Sequence, residues 1–164
     1  MVAMSTEEPR WLDAEEQATW LAMIKMITRF PAALDADLQH HSGVSLFEYQ
    51  VLAGLSMTPD RTLRMSTLAE FSACSLSRLS HTARRLESKG WLYRVPDPTD
   101  GRYTLAVLTD AGWEKVVATA PGHVAEVRRL LIDALTKAQY KQLRQISERV
   151  NDAIGHEPCP GTGC

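Results

Sequence analysis

Ser75-Leu-Ser-Arg-Leu-Ser-His-Thr-Ala-Arg-Arg-Leu-Glu-Ser-Lys-Gly90, followed shortly by Pro96-Asp-Pro-Thr-Asp-Gly-Arg-Tyr103, is the stretch that decides how this chain folds. Leu76, Leu79, Ala83 and Leu86 recur at helical spacing and predict one buried stripe. Ser75 stands where a side-chain oxygen satisfies the first free backbone N–H groups, and Gly90 where a helix ends in a left-handed residue. Off that stripe lie Ser77, Arg78, Ser80, His81, Arg84 and Arg85, all polar or basic. Beyond the helix, Trp91–Val95 and Tyr103–Leu108 read as strands, with the Asp/Pro/Gly-rich stretch as their turn and Arg102 at its tip. A polar, basic helix face suits the wide major groove of DNA, and an arginine on a hairpin tip suits the narrow minor groove.

Toward the N-terminus, Arg64-Met-Ser66 leads into a short helix from Thr67 to Ser72, with Leu68, Ala69 and Phe71 expected inward and Ala73-Cys74 as a turn. Ser45-Leu-Phe-Glu48 is a capping box, and Val44 with Tyr49 has the spacing of a hydrophobic staple, so a helix runs from there to about Met57. From Leu12 to Gln39 the apolar residues Trp20, Ile24, Ile27, Leu34 and Leu38 form a helical stripe. Pro31 sits within it and predicts a kink near Ile27–Pro31, and Gly43 is placed as the cap after His40-His41.

Toward the C-terminus, Thr109 or Asp110 caps a helix holding Trp113, Val116 and Val117, which Pro121-Gly122 is expected to interrupt or kink. The pattern resumes through Val124, Val127, Leu130 and Leu131. Thr136-Lys-Ala-Gln139 is a second capping box, and the last helix presents Tyr140, Leu143, Ile146, Val150 and Ile154. The expected architecture is mainly α with a small β-hairpin: a winged helix-turn-helix of about 45–108 flanked by helices over about 12–40 and 110–154. Residues 11–154 form one domain, with disordered ends at 1–10 and 155–164.

The 164 residues carry a net charge of −2, an unpromising balance for a nucleic-acid binder. The distribution reverses this. Residues 61–103 hold Arg61, Arg64, Arg78, Arg84, Arg85, Lys89, Arg94 and Arg102 against Glu70, Glu87, Asp97 and Asp100, giving +4 there and −6 elsewhere. One basic segment on an acidic body is the pattern of a locally bound polyanion. No apolar run nears the roughly 18 residues that span a membrane. The acidic start Met-Val-Ala-Met-Ser-Thr-Glu-Glu8 lacks a signal-peptide core, so a cytoplasmic setting is expected. Three cysteines, Cys74, Cys159 and Cys164, make a disulfide framework or metal site unexpected, and the Cys159–Cys164 segment reads as a tail.

The combination of Leu68-Ala-Glu70, the capped helix Ser75–Trp91, the wing Asp97-Pro-Thr-Asp-Gly-Arg102 and Leu108-Thr-Asp-Ala-Gly112 resembles the MarR (multiple antibiotic resistance regulator) family of bacterial transcription factors. The likeness covers roughly residues 12–154. It implies a homodimer, joined through the first and last helices, that reads a palindromic operator and answers to a small, often phenolic, molecule or to oxidation. The family usually has a charged or bulky residue between the wing Asp and Arg. Gly101 departs from that and is expected to loosen the tip.

For a DNA contact, Arg102 is assigned to the minor groove. The resemblance gives Asp100 the task of holding the wing, with a recognition-helix arginine as its partner. Arg78 and Arg84 are the choices for base edges, where a guanidinium grips guanine O6 and N7 together. Ser75 at the helix start suits a phosphate, Ser77, Ser80 and His81 suit bases or phosphates, and Arg85 and Arg94 suit the backbone. Trp20, Met23, His40, Tyr49 and Trp113 are the candidates for an effector contact, against the plainer reading of core aromatics and methionines. Cys74, beside a helix N-terminus, is either an oxidant-sensitive thiol or a small packed residue. His40-His41 lack the companions a metal site needs. The chain has no nucleophile–base motif, phosphate loop or metal triad, so neither an enzyme nor a cofactor is expected. A winged helix serving a protein partner remains the alternative, disfavoured by the basic wing tip.

Overall fold

Side-chain caps punctuate the helices where the sequence places them. In the computed structural model, which describes residues 8–155, Asp13 accepts from the backbone N–H groups of Glu15 and Glu16 at the start of α1 (Ala14–Ser42). Ser45 and Glu48 close a complete capping box on α2 (Leu46–Ser56), and Thr136 and Gln139 close another on α6 (Lys137–Ile154). Ser75 accepts from Arg78 N–H at the head of α4 (Leu76–Ser88), and Thr109 from Gly112 N–H at the head of α5 (Asp110–Val127). Gly43 and Gly90 stand in the left-handed region at φ +63° and +71° where helices end.

Between these lie β1 (Thr62–Arg64), α3 (Met65–Phe71), β2 (Leu92–Pro96) and β3 (Thr104–Leu108). The strands form one antiparallel sheet in the order β1-β3-β2, with Leu63 and Arg94 flanking Ala106 in register. The hairpin was expected; β1 was not, and it turns a two-stranded ribbon into a three-stranded sheet. The tight turn between α3 and α4 places Ala73 at φ +46°, held by Cys74 N–H donating to the Ala69 carbonyl.

Contacts divide the chain into two units, Met1–Ala33 and Leu34–Cys164. In the first, the described part of the helix exposes Trp20, Leu21, Met26 and Ile27. In the second, the core gathers Leu38, Val51, Leu52, Leu55, Leu68, Leu79, Leu86, Leu92 and Ala106, drawn from the end of α1, from α2, α3 and α4, and from the sheet.

Several expectations are corrected. Pro121 does not interrupt α5, which runs through it as α1 runs through Pro31, and α5 passes only later into a π-helical segment at Arg128–Ile132. Phe71 is half exposed, with its ring against Gly54, where an added Cβ would come within 2.7 Å of it. Leu76, the first residue of α4, is also exposed, and the buried stripe begins one turn later at Leu79. The expectations for residues 1–7, Cys159 and Cys164 lie outside the described residues.

Candidate nucleic-acid interface

α4 is bound to the body along two of its faces. Leu79, Ala83 and Leu86 are fully buried. A second row faces α2: the Arg78 guanidinium lies 4.3 Å from the centre of the Phe47 ring, Thr82 is buried, and Arg85 Nη2 donates to Glu48 Oε1 at 2.8 Å. The remaining outward row is Ser77, His81 and Arg84, all exposed, with Ser80 half-buried beside it. Ser75 uses its hydroxyl oxygen to cap the helix.

The sheet carries the second part of the site. Asp97 is buried at the root of the hairpin loop. Its Oδ1 accepts from the backbone and hydroxyl of Thr99, and its Oδ2 accepts from Arg64 Nε at 2.8 Å. The Thr99 hydroxyl and backbone N–H, followed by Arg64, hold the Asp97 carboxyl down at a pKa of about 2. Arg64 also lies 4.3 Å from the centre of the Tyr103 ring, so β1 anchors both ends of the loop. Arg64 and Asp97 are both named in the basic segment, and Asp97 in the wing, but the sequence assigns them no link, because the link crosses from a strand too short to show a period of two.

At the tip, the Arg102 side chain is 83% exposed, which leaves its charge facing outward. Its Nη2 donates to Asp100 Oδ2 at 2.7 Å, and Nε and the backbone N–H also point at the Asp100 carboxylate. This hydrogen bonding lowers the Asp100 pKa and raises that of Arg102. The partner expected for Asp100 was an arginine of α4. The correction is local: Asp100 and Arg102 are two residues apart in one turn and meet without reaching across the domain. Gly101 does not need its freedom here, since a Cβ on it would meet nothing within 4 Å.

Arg94, read as a backbone contact, is engaged by Glu87 through two parallel bonds, Nε to Oε1 at 3.0 Å and Nη2 to Oε2 at 2.7 Å. That fork lowers the Glu87 pKa and raises that of Arg94. Arg85 is likewise shared with Glu48, although half its side chain remains exposed.

The residues considered for an effector fall in different settings. Trp20 is exposed and Met23 half-buried in the first unit. In the second, His40 is exposed and meets His41 edge to face, while Trp113 lies beneath the Arg61 guanidinium at 4.3 Å. Tyr49 is buried against the His123 ring, with centroids 4.7 Å apart. Burial raises the Tyr49 pKa and lowers that of His123. Cys74 is half-buried and packs on the core.

A short helix, a tight turn, a capped second helix and a three-stranded sheet with a long hairpin loop define a winged helix-turn-helix. The MarR family model matches residues 44–104. Sco3205, a MarR family transcriptional regulator of Streptomyces coelicolor solved in complex with DNA, is 42% identical with a TM-score of 0.86, covering 95% of this chain and 97% of that one. AbsC, another MarR family regulator of Streptomyces coelicolor, is 33% identical at a TM-score of 0.86, covering 91% of this chain and 100% of that one. YdcH of Bacillus subtilis (strain 168), described as an uncharacterized HTH-type transcriptional regulator, is 35% identical over 92 residues, which are 55% of this chain and 58% of that protein. The chain therefore aligns with less than two thirds of the YdcH length. The chain belongs to the MarR family of transcriptional regulators.

Proposed function

We propose that this chain is a sequence-specific regulator that binds double-stranded DNA as a homodimer, represses from a palindromic operator and is released by a small aromatic effector. The observation that carries the reading is the pairing of two exposed basic features on one scaffold: the Ser77–His81–Arg84 row of α4 and the outward-facing Arg102 on the wing. The likeness to Sco3205, a protein solved with DNA, supports it.

In this reading α4 enters the major groove, with Arg78 and Arg84 at base edges and Ser77, Ser80 and His81 at bases or phosphates. Ser75 and the helix N-terminus meet a phosphate, Arg94 lies along the backbone, and Arg102, steered by Asp100, enters the minor groove. Dimer formation is supported by α6, in which no residue is buried and Ile146, Val150 and Ile154 are exposed on one stripe. An effector acts by favouring a dimer whose two α4 helices no longer match successive major grooves, roughly 34 Å apart. Its candidate contacts are Trp20, Met23, His40, Tyr49 and Trp113, each to be substituted separately and tested for loss of effector release.

Selection of bound duplexes from a random pool tests the reading, run with wild type and Arg102→Ala at two salt concentrations. Expected is a palindrome with half-sites about one helical turn apart, bound more weakly by the variant and at higher salt. No enrichment by wild type would overturn DNA recognition, and a monomer in sedimentation at micromolar concentration would overturn the dimer.

A further inference from the structure

Glu48 is a carboxylate with 2% of its surface exposed, on the first turn of α2, away from the outward row of α4. A buried charge is tolerated only where its hydrogen-bonding capacity is met. Here Oε2 accepts from Ser45 N–H at 3.0 Å, closing the capping box. Oε1 accepts from Arg85 Nη2 at 2.8 Å and from Lys89 Nζ at 3.3 Å. One side chain thus ends one helix and grips another.

The grip has a geometry. Arg78, Thr82, Arg85 and the C-cap Lys89 follow at intervals of four, three and four, one face of α4 and its cap over about 16 Å at the ordinary rise per residue. Phe47, adjacent to Glu48, takes Arg78 at the N-terminal end of that face, and Glu48 takes Arg85 and Lys89 at the other. The leucine stripe sets how deep α4 sits, but apolar contact is non-directional and lets a helix roll or slide. Hydrogen bonds to a fixed, buried carboxylate do not. We infer that Phe47-Glu48 is a clamp that fixes the rotation of α4, making Glu48 a positioning residue for sequence discrimination that touches no DNA, with Arg85 serving the clamp and not the phosphate backbone.

This inference rests on the DNA-binding reading above, and the experiment separates the two. Wild type, Glu48→Gln and Arg85→Gln are compared for affinity to the selected operator, affinity to a scrambled duplex, and the salt dependence of each. The near-isosteric amide of Glu48→Gln still accepts from Ser45 N–H. Expected is a loss of about tenfold in the operator-to-scrambled ratio. Scrambled-duplex affinity holds or rises, and its salt slope steepens by up to about one, as the released guanidinium becomes available to phosphate. A role in stability alone lowers both affinities together, by shrinking the folded fraction. If Glu48→Gln raises both affinities equally or leaves the ratio unchanged, the clamp is overturned.

Arg85→Gln decides the matter if Glu48→Gln does not fold, because Lys89 still compensates Glu48. The clamp predicts a lower ratio with an unchanged scrambled affinity. A phosphate contact instead predicts that both affinities fall and the salt slope drops by about one. Failure of wild type to select any duplex would overturn the DNA reading itself, and appears in the wild-type arm alone.

Discussion

α4 sends Leu79, Ala83 and Leu86 fully into the core, whereas the hairpin loop beyond Pro96 has no apolar anchor and buries only a carboxylate, Asp97. The helix is held by area removed from water, with ion pairs to α2 setting its rotation. The wing is held by hydrogen bonds to two carboxylates, Asp97 at its root and Asp100 at its tip. Global stability is therefore expected to follow substitutions beneath α4, and local order and DNA affinity to follow substitutions in the wing.

The place to break the comparison is the joint both arms share. Gly112, in the first turn of α5, lies where an added Cβ would stand 2.0 Å from the Trp91 carbonyl oxygen and 2.7 Å from Leu108 Cδ1. Trp91 follows α4, and its carbonyl accepts from Thr109 N–H. Backbone cannot swing aside as a side chain can, so Gly112→Ala is expected to cost at least about 3 kcal/mol, the upper range for overpacking, and to loosen both arms. Thermal unfolding should show a melting temperature lower by about 6–12 °C. A variant that melts with wild type would mean that α5 and the Trp91 backbone do not approach as described.

Leu79→Ala separates the arms. It removes a fully buried side chain from the core side of α4. The expected loss is about 2–5 kcal/mol, the range for such truncations. Amide exchange should accelerate across α4 and the core in step with global stability. If exchange in the hairpin loop responded more strongly than exchange in α4, the contrast between the two modes of anchoring would be wrong.

The same contrast explains what the sequence disclosed. Residues fixed by local rules were legible: the Ser45–Glu48 and Thr136–Gln139 boxes, the Ser75 cap, Gly43 and Gly90, and the Leu79–Ala83–Leu86 stripe. These depend on neighbours three or four positions apart. Partners distant in sequence were not legible. Arg64 reaches Asp97 across 33 positions and Arg85 reaches Glu48 across 37, and no spacing rule joins them. β1 was missed for the same reason, since its three residues acquire strand character only by pairing with β3. Asp100 was assigned a long-range partner where the local one prevailed.

In the wing, Arg102→Ala should leave the melting temperature within about 1 °C of wild type, as expected for an exposed side chain outside the core. Operator affinity should fall about tenfold, with a shallower salt slope. The Arg102 side chain is the main group holding the Asp100 pKa down, so its removal should also let that pKa rise toward the ordinary carboxylate value, measurable by carboxyl NMR. Unchanged affinity would remove the wing from the interface and leave α4 alone.

The smallest expected effect is the most local. The Asp97 pKa is held at about 2 against an ordinary 3.8, so the folded chain binds this proton less readily than the unfolded one. A depressed carboxylate stabilises the fold above its unfolded value, and that contribution disappears as pH falls through the folded one. Wing order should therefore be constant from neutrality down to about pH 4 and decline between there and about pH 2, read from Thr99 and Tyr103 amide signals. The Thr99 hydrogen bonds depress the Asp97 pKa more than the Arg64 guanidinium does. Thr99→Val, which removes the hydroxyl donor, should thus raise the Asp97 pKa more than Arg64→Gln does. The reverse order would mean that the strand-to-loop ion pair, and not the turn's own hydrogen bonds, holds the wing closed.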